Sequence, residues 1–149
     1  MSQIVTTPLS NETAQRLEIF AHRLGKTISE TSALLIEEAL REQEFPYIEF
    51  RNSGKERQAY LKNSSLAVWE VIRIAKDYSM DEQKTAEHFH RAKEWVRCAL
   101  LYAEAYPAEI EKATALGAAA PRAVANVQAI NQTTLKQLLP QLETIFVSE

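Results

Sequence analysis

Gln3-Ile4-Val5-Thr6-Thr7-Pro8-Leu9 is a β-prone run that ends at Ser10, a residue suited to capping a helix. Beyond it, Leu17, Phe20, Ala21 and Leu24 recur at three- and four-residue steps, which predicts an amphipathic helix stopped by Gly25. Thr27-Ile28-Ser29-Glu30 then has the pattern of a capping box and predicts a second helix. That helix carries Leu34, Leu35, Ile36, Ala39 and Leu40, and is apolar on more than one side. A single strand has no partner in this stretch, and no neighbouring element covers so much apolar helix. A second copy solves both problems, because two strands form a ribbon and four helices enclose one core. Residues 4–40 therefore predict a homodimer.

The rest of the composition fits one globular domain or two small ones. The chain has 149 residues, 46% hydrophobic and 25% charged, with a net charge of −3. A lone cysteine, Cys98, excludes an internal disulfide. No apolar run reaches the length of a membrane span, and no basic-then-apolar leader opens the chain, so a cytoplasmic protein without a membrane partner is expected. Charge is uneven. Residues 1–45 hold four Lys/Arg against seven Glu, whereas residues 46–113 hold eleven of each sign. An acidic first segment disfavours tight grip on phosphates, since affinity scales with the number neutralised.

After Leu40 the polar run Arg41-Glu42-Gln43-Glu44 leaves the helix. Tyr47-Ile48-Glu49-Phe50-Arg51 alternates, Asn52-Ser53-Gly54 signals a turn, and Gln58-Ala59-Tyr60-Leu61 returns, which predicts a hairpin. Arg51, Lys55 and Arg57 cluster near its loop, as a solvated loop or as a contact to phosphate or a partner. Ser64-Ser65 precedes a helix with Val68, Ile72 and Ala75 on one face. Ser79-Met80-Asp81-Glu82 reads as a capping box for a helix to Phe89, with Ala86 and Phe89 inward. His90-Arg91-Ala92 is a short turn into a longer helix with Val96, Ala99, Leu100 and Ala103 buried. Pro107 ends that helix and begins another.

Two resemblances attach to these segments. Leu9 to Leu17, then Gly25-Lys26-Thr27-Ile28-Ser29-Glu30, then Ile36-Glu37-Glu38-Ala39-Leu40, resemble the ribbon-helix-helix family of Arc, MetJ and CopG over about the first 42 residues. In that family the dimer's ribbon enters the major groove of double-stranded DNA. The resemblance implies Val5, Thr7 and Leu9 inward, and Ile4, Thr6 and Pro8 outward, with Thr6 alone able to read a base edge. Backbone N–H groups near Thr27, Ile28 and Ser29, with Lys26 beside them, would hold a phosphate.

Residues 46–112 are similar to a second type. Pro46-Tyr47-Ile48-Glu49-Phe50-Arg51, Arg57-Gln58-Ala59-Tyr60-Leu61, Val68-Trp69-Glu70-Val71 and Val96 to Tyr102 with Tyr106-Pro107-Ala108-Glu109-Ile110 carry the match. They resemble the hairpin and helix-turn-helix domain of VapB-like antitoxins and of the uncharacterised-domain family numbered 433. Two helices joined by a few residues, the second exposing Arg91, Lys93, Glu94 and Arg97 near its start, fit a helix-turn-helix that reads DNA through Arg91, Lys93 and Arg97. The resemblance strengthens that reading and implies a PIN-like ribonuclease toxin as partner. The segment His88 to Trp95 departs from it, lacking the proline that often opens the helix.

From Ala113 the chain turns small and uncharged, and Ala118-Ala119-Ala120-Pro121 reads as a hinge. Arg122 to Ile130 reads as a weak helix. Leu135, Leu138, Leu139, Leu142, Ile145 and Phe146 form an apolar stripe interrupted by Pro140. Leu135, Leu138, Leu142 and Phe146 are candidate partner-binding residues; the alternative is packing back onto the protein's own dimer.

Nothing predicts catalysis. His88, His90 and Cys98 lack the spacing of a zinc site, no third residue orients a Cys–His pair, and Gly25, Gly54 and Gly117 form no phosphate loop. No cofactor is expected. Trp69 reads as core; Trp95, beside Lys93 and Arg97, reads as core or as a partner contact. The expected fold is mainly α. It comprises a ribbon-helix-helix dimerisation module (1–43), a small β-hairpin with a helix-turn-helix domain (46–113), and a helical C-terminal tail (114–149). The expected function is that of a dimeric transcriptional regulator of antitoxin kind. A protein-interaction adaptor with the same dimer fold is the alternative.

Overall fold

The computed structural model of the chain describes residues 2–54 and 56–119. The stripe from Leu135 to Phe146, the segment Arg122 to Ile130 and Lys55 lie outside the described residues. Among those described, six helices and one two-stranded antiparallel hairpin are present. One compact unit runs through Tyr106, and a second begins at Pro107.

The first two helices are α1 (Asn11–Leu24) and α2 (Ile28–Glu44). Ser10 Oγ accepts from the Thr13 N–H at 3.2 Å and so caps α1. Gly25 closes the helix in the left-handed region, φ 65°, and the Lys26 N–H reaches back to the Ala21 carbonyl at 3.0 Å. The expected capping box opens α2 in full. Glu30 N–H donates to Thr27 Oγ1 and Thr27 N–H donates to the Glu30 carboxylate, each at 3.1 Å.

Residues 2–10, expected as a strand paired with a second copy, are seen here in one copy alone. They form no strand in this single chain, and every one of them is exposed. A strand needs a neighbour to take its N–H and C=O groups, and nothing within one copy supplies it. Val5 and Leu9, expected inward, are 83% and 48% exposed. The helix pair is correspondingly thin in core. Ala21 is its only buried apolar side chain among the described residues, while Leu17, Phe20, Leu24, Leu34 and Leu35 are half-buried.

The hairpin joins β1 (Ile48–Ser53) to β2 (Glu56–Leu61). The register pairs Ile48 with Leu61 and Ser53 with Glu56. That leaves the tightest reversal available, with Gly54 at φ 63° supplying its left-handed residue. Ser64, expected ahead of the next helix, instead ties the hairpin's end: its Oγ donates to the Leu61 carbonyl at 2.7 Å and accepts from the Leu66 N–H.

Three helices complete this unit: α3 (Val68–Asp77), α4 (Glu82–Phe89) and α5 (Lys93–Ala105). Ala67 cannot cap α3 by a side chain, but its N–H donates to the Glu70 carboxylate at 2.9 Å. The capping box expected from Ser79 is absent. Ser79 and Met80 sit at φ 55° and 63°, and the Met80 N–H closes the end of α3 on the Ala75 carbonyl. Asp81 is the cap, accepting from the Lys84 N–H at 2.8 Å. The core is built from Ile48 and Leu61 of the hairpin with Val68, Val71, Ala75, Val96, Ala99 and Tyr102. Trp95 is also buried, at 4% exposure, so of its two readings the structure takes the core; Trp69 is only half-buried, with Arg73 over its ring at 5.6 Å.

The second unit begins with α6 (Pro107–Ala119), in which proline takes the first helical position as expected. No helix of the described residues is long and apolar enough to cross a membrane.

Candidate functional site

Two features of the first unit invite a partner. The first is an open groove on the α1–α2 pair, about 510 Å³ in volume, lined by Leu9, Leu17, Phe20, Leu35 and Ile36 together with Thr7, Thr13, Arg16 and Ser32. Its apolar side chains are the ones that set the helical periodicity of both segments. Ile36 and Leu40 add exposed aliphatic surface on α2, at 59% and 53%. Large apolar side chains left open on adjacent turns mark an association surface.

Thr6 is exposed in the segment 2–10, whose Thr7 and Leu9 line this groove, and Lys26 and Ser29 are exposed at the α1–α2 corner. Thr27 has both of its local groups committed to the capping box. The N–H groups that follow it lie at the positive end of α2, where an anion is favoured, but the Glu30 carboxylate already occupies part of that field.

The second feature is the pair α4 and α5, joined by the tight turn His90-Arg91-Ala92. His90 takes the left-handed conformation, φ 54°, and the Arg91 N–H closes α4 on the Ala86 carbonyl at 3.0 Å. This is the geometry of two helices meeting at a short corner, with the start of the second helix turned outward. Arg91, Lys93 and Arg97 come together there, all exposed. Lys93 and Arg97 lie one turn apart on the same face of α5.

Two of the three are partly committed. Arg91 donates to the Asn63 carbonyl at 2.8 Å and lies 5.3 Å over the Trp95 ring. Arg97 Nε donates to the Glu82 carboxylate at 2.7 Å, and that hydrogen bond raises its already high pKa. Its charge is secure but partly offset. Trp95 lies beneath this surface with its indole N–H buried and unpartnered.

His88 Nδ1 lies 3.0 Å from the Tyr78 hydroxyl. Cys98 is buried, and burial pushes its thiol pKa up, away from the reactive thiolate. Among the described residues no three His, Cys, Asp or Glu side chains group so as to hold a metal ion.

Sequence reasoning missed the contacts between α2 and the hairpin unit. Glu38 accepts from Arg57 through both carboxylate oxygens, so the arginine read as loop surface is in fact paired and largely buried. Arg41 donates to the Tyr102 hydroxyl at 2.8 Å and lies 3.6 Å over the Tyr106 ring. A signal was present: Thr31, Leu34, Leu35, Glu38 and Arg41 follow the three- and four-residue spacing of one helix face. Arg51, in the same loop cluster, pairs with Glu49 and donates to the Ser64 carbonyl. In comparison with known proteins, the chain matches no family model, no curated protein and no solved structure.

Proposed function

We propose that the chain is a dimeric DNA-binding regulator of the type II antitoxin kind, which represses its own promoter and neutralises a partner toxin, a PIN-like ribonuclease on the resemblance of residues 46–112. The observation that carries this reading is the unpaired extended segment 2–10 beside the open groove of α1 and α2. A second copy supplies both a strand for the segment and apolar side chains for the groove. The ribbon so formed places Thr6 on its outer face. The cationic start of α5 offers a second contact to the phosphate backbone.

A mobility-shift titration of the DNA upstream of the gene tests this, comparing it with random duplex at physiological salt. Thr6→Ala weakens discrimination between sequences, whereas Lys26→Ala and Arg97→Ala weaken binding to all duplexes and flatten its salt dependence. Equal affinity of the parent protein for operator and random duplex rejects the proposal.

A second reading, a protein-interaction adaptor with the same dimer fold, is favoured by two observations. The first 45 residues carry a net −3, and Glu82 offsets Arg97 on the face that would meet DNA. Co-purification with the neighbouring gene's product, in the absence of operator binding, is the result that selects it.

A further inference from the structure

Glu38 lies on the wrong face of its helix for a surface carboxylate. On α2, Ile36 and Leu40 point outward at 59% and 53% exposure, while Glu38 between them is buried at 6%. Residues two apart on a helix lie on nearly opposite faces, so Glu38 turns inward with Thr31, Leu34 and Leu35 while the larger aliphatic pair Ile36 and Leu40 turns out. A charged group on that inward face needs a partner, and what Glu38 meets helps to hold the observed rotation.

That partner is Arg57 of β2. Arg57 Nε donates to the two Glu38 oxygens at 3.2 and 3.1 Å, and a terminal nitrogen donates to Oε1 at 2.5 Å. The other terminal nitrogen donates to Asn52 Oδ1 of β1 at 3.2 Å, and the guanidinium lies 5.7 Å from the Phe20 ring centre of α1. One largely covered side chain therefore touches α1, α2 and both hairpin strands. A planar guanidinium gripping a carboxylate through two edges tolerates little rotation, unlike an apolar contact. Buried ion pairs contribute little net stability against apolar replacements, and their best-attested use is to fix one arrangement among several.

We propose that the Glu38–Arg57 pair is an orientation lock. It sets the rotation of α2, and with it the angle between the α1–α2 module and the hairpin with α3–α5. The link between them is only Phe45-Pro46-Tyr47, and without the lock it is a hinge. The seam is also held by Phe45 against Tyr102 and Tyr106, at 5.2 and 6.2 Å between ring centres, and by Arg41 of α2, which donates to the Tyr102 hydroxyl at 2.8 Å; these contacts keep the modules attached, and the two-edged Glu38–Arg57 pair fixes the angle they leave. The lock turns Ile36 and Leu40 outward, to the face a second copy would cover. In a dimer that binds DNA it also fixes the spacing between the ribbon and the two α5 helices; these two consequences rest on the function proposed above, and the lock itself does not.

The test is a distance measurement that needs no DNA. Spin labels are placed at Glu18→Cys on α1 and Lys84→Cys on α4, both exposed positions, in a Cys98→Ala background. The full chain is diluted with excess unlabelled protein, so that only distances within one chain are read by pulsed dipolar spectroscopy. The intact pair gives one sharp distance. Glu38→Gln loses the sharp distance, and the charge swap Glu38→Arg with Arg57→Glu restores it.

Should Glu38→Gln fail to fold, the apolar pair Glu38→Met with Arg57→Met takes its place, since it leaves no unpaired charge. It keeps the helical content and the melting temperature but loses the sharp distance. A sharp, unshifted distance in either folded variant overturns the lock and assigns the angle to the seam of Phe45 and Arg41 with Tyr102 and Tyr106. Melting that falls without any change of distance overturns it equally. Operator binding measured on the same parent protein reports separately on the function, because a protein that fails to bind DNA can still show the sharp distance and its loss.

Discussion

Truncating Ile36 tests the proposed dimer directly. Ile36 lines the groove of the α1–α2 pair and is 59% exposed in the single chain. Burying a whole isoleucine is worth about 1.5–3 kcal/mol. Covering the 59% left open is then worth about 1–2 kcal/mol for each copy. A two-fold interface counts the residue twice, and alanine retains part of the contact, so Ile36→Ala weakens the dimer by about 2 kcal/mol. That is about thirtyfold in Kd. Sedimentation equilibrium over a range of protein concentrations reads this ratio. Leu101→Ala is the control, because Leu101 is 50% exposed on α5, away from the groove, and its truncation leaves Kd unchanged. A monomeric parent protein, or equal Kd values for the parent and Ile36→Ala, refutes the account of the groove. Equal losses from Ile36→Ala and Leu101→Ala refute its location.

Two further predictions concern the chain's stability. Thr27→Ala removes the acceptor for the Glu30 N–H and lowers stability by about 1 kcal/mol, whereas Thr27→Ser retains it; equal urea midpoints for the two variants contradict the capping account. Burial holds the Cys98 thiol protonated to higher pH in the folded chain than in the unfolded one. Its contribution is therefore complete below about pH 8.5, where an unfolded thiol ionises, and falls as pH rises past that value toward the folded pKa. Cys98→Ala removes this part of the alkaline decline, and identical alkaline slopes in parent and variant, measured by denaturant titration, rule it out.

Local chemistry made the elements legible. Ser10 marks where α1 begins, and Gly25 and the Thr27–Glu30 pair mark where α1 ends and α2 begins, because caps act within one turn of the backbone they serve. The hairpin, the His90-Arg91-Ala92 turn and the start of α6 at Pro107 were legible for the same reason. Where two caps competed, pattern alone failed. Ser79-Met80-Asp81-Glu82 fits a capping box, yet Met80 N–H is drawn to the Ala75 carbonyl and Asp81 takes over the cap.

The cationic cluster of Arg91, Lys93 and Arg97 follows from sequence, since all three sit at one helix start. Its electrostatic worth does not, because Glu82, fifteen residues before Arg97, comes to lie against it only when α4 folds onto α5. The same holds for the tryptophans, as burial is a property of neighbours that the sequence does not place beside them.

By itself, then, the sequence determined the boundaries of α1 and α2, the hairpin and the apolar faces left open in one copy, all set by residues within a turn or two of one another. Only the tertiary structure decided which way α2 faces, through Glu38 meeting Arg57 nineteen residues away and Arg41 meeting Tyr102 sixty-one residues away. Pairings across such separations depend on how the intervening elements pack, and a periodic pattern shows which face is apolar without showing which charged group it will bury.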